Sequence, residues 1–235
     1  MNFYIADLHF GHKNCLAFDN RPYLTVEQHD NALIKNWNKA VGYYDDVWIL
    51  GDFSWHNTTK TLDIFRQLNG IKHLCVGNHD HKLLRNKDIR NLFVEIVEYK
   101  EIKDNNQDIV LCHYPIPCFN RHYYGAYHFY GHVHNSFEWN LMERMKYEMV
   151  ELFDKPCNMF NVGCMISYMD FTPRTFEQII NSNVRLTERL NDEYLISWIS
   201  KMRPLSKEEN DKKSEMYREM STKIEGESFE QSKVN

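Results

Sequence analysis

The chain has 235 residues, of which 26% are charged, with a formal net charge of -5 and 12 histidines. That composition excludes collagen-like, disordered and disulfide-stapled classes and suits one large domain, or one domain with an extension. No apolar run approaches the roughly 18 residues of a membrane span. Met1 to Asp7 carries no basic segment followed by a long apolar stretch, so the sequence predicts neither membrane insertion nor an export signal.

The predicted elements alternate. Phe3-Tyr4-Ile5-Ala6 reads as a buried strand, and a helix starts at Thr25, with Gln28 as its capping-box partner. Leu33, Ile34, Trp37 and Val41 follow at helical spacing. Val47-Trp48-Ile49-Leu50 is a second strand ended by Gly51. A helix over 61–68 is closed by Asn69-Gly70, and His73-Leu74-Cys75-Val76 is a third strand ended by Gly77. Residues 83–93 read as mainly helical. Strands are then predicted over 93–99, 109–112, 127–130 and 158–162, and Pro173 opens a short helix. The alternation predicts an α/β core, with mixed sheet in the later strands. The core is expected to end near residue 182. Leu186, Leu190, Tyr194, Trp198 and Met202 recur every four residues, so 183–235 reads as a helical extension with a charged tail.

No two of the six cysteines form a CxxC pair, and Cys75 and Cys112 sit inside apolar runs. Reduced thiols in a cytoplasmic protein are the expectation. The acidic balance argues against tight nonspecific binding to nucleic acid, but not against nucleic acid as a substrate.

Polar residues able to bind metal follow five of the apolar runs. They are Asp7-Leu8-His9, Gly51-Asp52, Gly77-Asn78-His79-Asp80, His113 and Gly131-His132-Val133-His134. In open α/β sheets, ligands bind beyond the carboxyl ends of the strands, so these groups converge if the strands share a sheet edge. Mixed oxygen and nitrogen donors suit Mn, Fe, Zn, Ni or Co better than Ca. Two such ions about 3.5–4 Å apart hold a hydroxide nucleophile against a phosphoester. The spacings 7/9 and 132/134 put both side chains on one face only where the backbone is extended. Each block alone has an ordinary explanation, such as a surface pair, a turn or a structural edge strand. Five in this order do not.

As a set, the blocks resemble the calcineurin-like metallophosphoesterases over residues 1–180. The flanking Phe10-Gly11-His12-Lys13-Asn14, His113-Tyr114-Pro115 and Asn161-Val162-Gly163 resemble the small bacterial and phage members. The resemblance implies a four-layer α/β/β/α sandwich with mixed sheets and a dinuclear site. One ion would take Asp7, His9, Asp52 and His134; the other would take Asp52, Asn78, His113 and His132, with Asp52 as the bridge. Manganese is the favoured metal. His79 would serve as general acid, or would stabilise charge on the transferred group. Asp80 would orient His79, with a helix N-cap as the structural alternative.

His12 and Asn14 share a loop with Asp7 and His9 and are candidate substrate contacts. Arg21 is a candidate partner for a substrate phosphate. Arg121, in a loop with His122, Tyr123 and Tyr124, is a candidate pocket residue. The expected function is hydrolysis of a small phosphorylated, nucleotide-like substrate. A nuclease and a lipid-pyrophosphate hydrolase are alternatives within the enzyme class. A protein-binding scaffold that has lost its ligands is the non-enzyme alternative, but every ligand is present here. A homo-oligomer is left open.

Overall fold

The computed structural model describes residues 1–187. The expected stripe beyond 187 and the charged tail lie outside the described residues. In chain order the elements are β1 (Asn2–Ile5), α1 (Lys13–Phe18), α2 (Val26–Ala40), β2 (Asp46–Leu50), α3 (Thr58–Gln67), β3 (Ile71–Cys75), α4 (Asp80–Leu83) and α5 (Lys87–Arg90). They continue with β4 (Glu95–Val97), β5 (Tyr99–Asp104), β6 (Gln107–Cys112), β7 (Tyr127–Tyr130), α6 (Phe137–Phe153), β8 (Asn158–Asn161), β9 (Arg174–Thr175) and α7 (Phe176–Thr187).

The strands form two mixed sheets. One has the order β4-β3-β2-β1-β9, with β1 to β4 parallel and β9 antiparallel to β1. The other has the order β5-β6-β7-β8, with β5 antiparallel to β6 and the other pairs parallel. Strand alternation divides the side chains between two cores. Ile109, Leu111 and Phe129 join the core formed with Ile5, Ile49 and Leu74. Tyr4 meets Phe129 edge-to-face at 4.8 Å across that core, and its hydroxyl donates to Asp104 at 2.7 Å. Val110 and Tyr130, on the opposite face, pack with Met159 under Trp139, Met142, Met145 and Met149 of α6. Leu33 and Trp37 of α2 and Ile64 and Phe65 of α3 cover the first sheet. The result is the expected helix–sheet–sheet–helix layering.

Several boundaries differ from the expectations. The run 93–99 splits: β4 closes the first sheet, and β5 opens the second after a single intervening residue. Residues 83–93 hold only short helical turns, because Asn86 interrupts them and caps α5 through Asp88 N–H and Ile89 N–H. Thr25 caps α2 by accepting from Gln28 N–H at 3.1 Å, but Gln28 accepts from Leu24 rather than closing the reciprocal box. Pro173 is followed by β9 before α7 begins, and α7 runs on across residue 182. No helix among the described residues is long and apolar enough to cross a membrane.

Candidate metal centre

The two sheets meet where their parallel strands end. Ala6, just past β1, bridges to Gly163, just past β8; Ala6 N–H donates to Val162 O at 2.8 Å and Cys164 N–H to Ala6 O at 2.9 Å. Asp7 N–H continues the ladder to Gly51 O, and Gly131 N–H donates to His113 O. The five polar blocks therefore leave neighbouring strand ends and face one space.

The backbone there is not extended. Asp7, His9, Asp52, His132 and His134 all have φ between 49 and 70°. This corrects the expectation of strand-like spacing. Each 7/9 and 132/134 pair converges through left-handed bends, while the intervening Leu8 and Val133 point into cores. A non-glycine residue in this region costs about 1–2 kcal/mol. Five of them at one place are strain of the kind that persists at functional sites. Close approach is built in as well: a Cβ on Gly77 would lie 2.3 Å from Asp52 Oδ1, and one on Gly51 would lie 2.2 Å from His113 Nδ1.

Donor atoms of Asp7, His9 and His134 lie within 4.8 Å of one another, as do those of Asp7, Asp52 and His113. Asp52 Oδ2 stands between the two groups, 3.6 Å from His9 Nε2 and 3.7 Å from His113 Nε2. Asn78 Oδ1 is 3.0 Å from both His113 Nε2 and His132 Nδ1. All seven sequence-predicted ligands are thus brought together. Asp7, His9, Asp52 and His113 are buried and form the floor, while Asn78 and His132 are exposed at the rim.

The electrostatics fit a cation. Burial raises the pKa of Asp7, against the lowering influence of His134 and His113. Burial pushes His9 well below the usual imidazole value, helped by the neighbouring His134. Partial desolvation at the rim, helped by the neighbouring His113, also lowers His132. Buried carboxylates and neutral imidazoles facing one another are the donor set that divalent transition metals take. The chain therefore has a built candidate site for divalent metal.

Hydrogen bonds fix several rings. His113 Nδ1 donates to Leu50 O at 2.8 Å, so Nε2 faces Asp52 with its lone pair. Trp55 Nε1–H donates to His9 Nδ1 at 3.0 Å. His79 is exposed at the mouth; its N–H donates to Asp52 Oδ1 at 2.9 Å and its Nε2 lies 4.0 Å from Asp52 Oδ2.

Three expected roles are corrected. Asp80 neither orients the His79 ring nor caps a helix. It is fully buried and accepts from Asp52 N–H, Phe53 N–H and Gly77 N–H at 2.8–2.9 Å, so it ties two site loops together. Arg21 does not face substrate. It is buried against Asp19, the carbonyls of Asp7 and Leu8, and His29. Arg121 pairs with Asp108 at 3.0 Å, at the start of β6. That is roughly 15 Å along the strand from His113.

His12 does line the site: its ring stacks on Trp55 at 4.2 Å and lies 5.4 Å from His9, and burial lowers its pKa to about 4. Asn14 is exposed in the first turn of α1. Sequence reasoning missed Asp19 and Trp55. Trp55 comes three residues after Asp52, and that nearness was its only signal.

No protein-family model matches the chain. It is 41% identical to the uncharacterized protein MJ1445 of Methanocaldococcus jannaschii over 78 residues, which are 32% of this chain and 44% of that one. It is 38% identical to the gene 66 protein of Mycobacterium phage L5 over 92 residues, which are 38% of this chain and 44% of that one. The chain thus spans less than half the length of these curated relatives. Among solved structures, the protein of unknown function AQ665 from Aquifex aeolicus superposes with a TM-score of 0.56 at 24% identity, covering 77% of this chain and 98% of that chain. That likeness is one of fold. With the two sheets and the five blocks at their joined edge, it decides the architecture. The chain shares the fold of AQ665, two mixed sheets between layers of helix. Within that fold, every block quoted from the sequence lies at the sheet junction, and none has been lost from it.

Proposed function

We propose that the chain is a metal-dependent phosphoesterase that hydrolyses a phosphomonoester or phosphodiester with two divalent ions, manganese favoured. The observation that carries this reading is the overlap of two donor groups at Asp7, with the Asp52 carboxylate between their histidines. Bound there, the ions would supply a hydroxide nucleophile and neutralise charge on the phosphoryl oxygens. Asp7, His9, Asp52 and His134 would hold one ion; Asp52, Asn78, His113 and His132 would hold the other.

The chain's own groups perform the remaining work. His79 stands at the mouth, where its Nε2–H can protonate the leaving oxygen. Asp80 keeps the 51–53 and 77–80 loops together through three backbone N–H groups, so that Asp52 and Asn78 stay in register. Gly51 and Gly77 let those loops approach without a side chain between them. A nucleotide-like substrate is favoured by the exposed aromatic rings around the mouth. Trp55 is 47% exposed and stacked with His12, and Phe18 and Tyr114 are each 43% exposed. Tyr114 packs 4.6 Å from the His132 ring.

The test is hydrolysis of a chromogenic phosphodiester with and without Mn2+. Asp52→Asn and His113→Ala should both abolish Mn2+-dependent turnover, and undiminished activity in both removes the assignment. His79→Ala should lower turnover while leaving metal content unchanged; loss of the metal in that variant contradicts its role.

A further inference from the structure

His134 is held from behind by a group that none of the five blocks contains. Asp19 lies between α1 and α2, 115 residues from His134, and is fully buried at its carboxylate. Both its oxygens face His134 Nδ1, at 2.9 and 3.0 Å. A carboxylate can only accept, so the proton sits on Nδ1 and the Nε2 lone pair points to His9 and Asp7.

Asp19 is itself fixed by Arg21, whose Nε–H donates to it at 2.9 Å and whose second terminal nitrogen lies 2.8 Å away. The remaining Arg21 donors go to Leu8 O at 3.0 Å, Asp7 O at 2.9 Å and His29 Nε2 at 2.9 Å. Asn135 Nδ2–H adds a bond to Asp19 O at 2.8 Å. One buried guanidinium thus holds the loop that carries Asp7 and His9, and through Asp19 it also holds the ring of His134.

The geometry points to Asp19, braced by Arg21, as the positioning residue that sets the tautomer and angle of His134 as a metal ligand. This rests on the metal-centre reading given above. Arg21 joins the first and last donor blocks of the chain into one unit. It is a positioning group rather than a substrate-binding one.

The test has two arms. In the wild-type protein, at a pH well above the raised pKa of His134, long-range nitrogen–proton NMR of the imidazoles should show the Nδ1–H form for His134. The Nε2–H form overturns the proposal, and this arm requires no variant to fold. In the second arm, Mn2+ binding is titrated calorimetrically for wild type, Asp19→Asn and Asp19→Glu. Wild type should take two ions. Asp19→Asn should weaken one of them by about 10–100-fold and leave the other unchanged, with Asp19→Glu recovering part of the loss. Unchanged binding of both ions in Asp19→Asn overturns the proposal. Failure of wild type to bind Mn2+ would instead remove the metal-centre reading, and the tautomer arm would still decide the role of Asp19.

Discussion

Gly77→Ala probes the closest packing at the site. The added Cβ would lie 2.3 Å from Asp52 Oδ1 and 2.7 Å from Asp52 N. Non-bonded heavy atoms prefer about 3.5 Å or more, so the carboxylate or its loop has to retreat by about 1 Å. The loop is not free to do so. Asp52 N–H donates to Asp80 at 2.9 Å, and Asp52 Oδ1 accepts from His79 N–H at 2.9 Å. Overpacking of this kind costs about 1–3 kcal/mol. In a chain of this size that lowers Tm by about 2–12 °C. Because the displaced oxygen belongs to the central carboxylate, the rise in Tm that saturating Mn2+ gives the wild type should shrink or vanish. Gly125→Ala is the control. Its φ of +82° makes alanine strained, but no heavy atom stands within 4 Å. It should lower Tm through about 1–2 kcal/mol of backbone strain and keep the full response to Mn2+. Thermal melts of both variants, with and without Mn2+, make the comparison. A Gly77→Ala protein with wild-type Tm and a wild-type response to Mn2+ refutes the packing argument.

Two more outcomes are expected. Burial holds the pKa of His128 at about 4, below the ordinary imidazole value of 6.5. The folded ring stays neutral, with Nε2 accepting from Ile116 N–H. The unfolded chain therefore takes up a proton first as the pH falls. The contribution of His128 is full above pH 6.5 and is lost as the pH drops toward 4, by about 3 kcal/mol. Urea melts across that range should show a shallower acid loss in His128→Gln than in wild type, and equal slopes contradict the assignment. At the site itself, Trp55 Nε1–H makes His9 Nδ1 an acceptor. A cation taken through His9 Nε2 needs that nitrogen's lone pair, which sends the ring proton to Nδ1 and breaks the indole bond. Zn2+ should therefore shift tryptophan emission in wild type and not in Trp55→Phe; the same shift in both proteins removes the coupling.

Much of this was legible in the sequence because two signals coincide. Strands buried on both faces read as unbroken apolar runs, as in Val47 to Leu50, and the residue after each run is where a ligand would stand. The five blocks can therefore be set just after strands from the sequence alone, and they follow β1, β2, β3, β6 and β7. Other features carry no local signal. Asp19 matters only because His134 comes to it from a distant part of the chain, while Arg21, two residues on, folds inward to brace it. Arg21 beside Pro22 looks like any loop cation until its donors are followed inward. The break between β4 and β5 reads as one strand, because sheet membership is decided by pairing and not by composition. The helix α6 carries no clear apolar stripe: none of its residues is fully buried, and Phe137, Leu141 and Val150 are exposed. The left-handed bends at Asp7, His9, Asp52, His132 and His134 are likewise invisible, because Asp and His enter that region more often than other side chains but still in only a small minority of cases.

The central claim is a pair of ions held around Asp52. Crystals grown with Mn2+ and measured at its absorption edge test it directly. Two anomalous peaks about 3.5–4 Å apart, with Asp52 between them, are the predicted result. A single peak, or none at these residues, contradicts it.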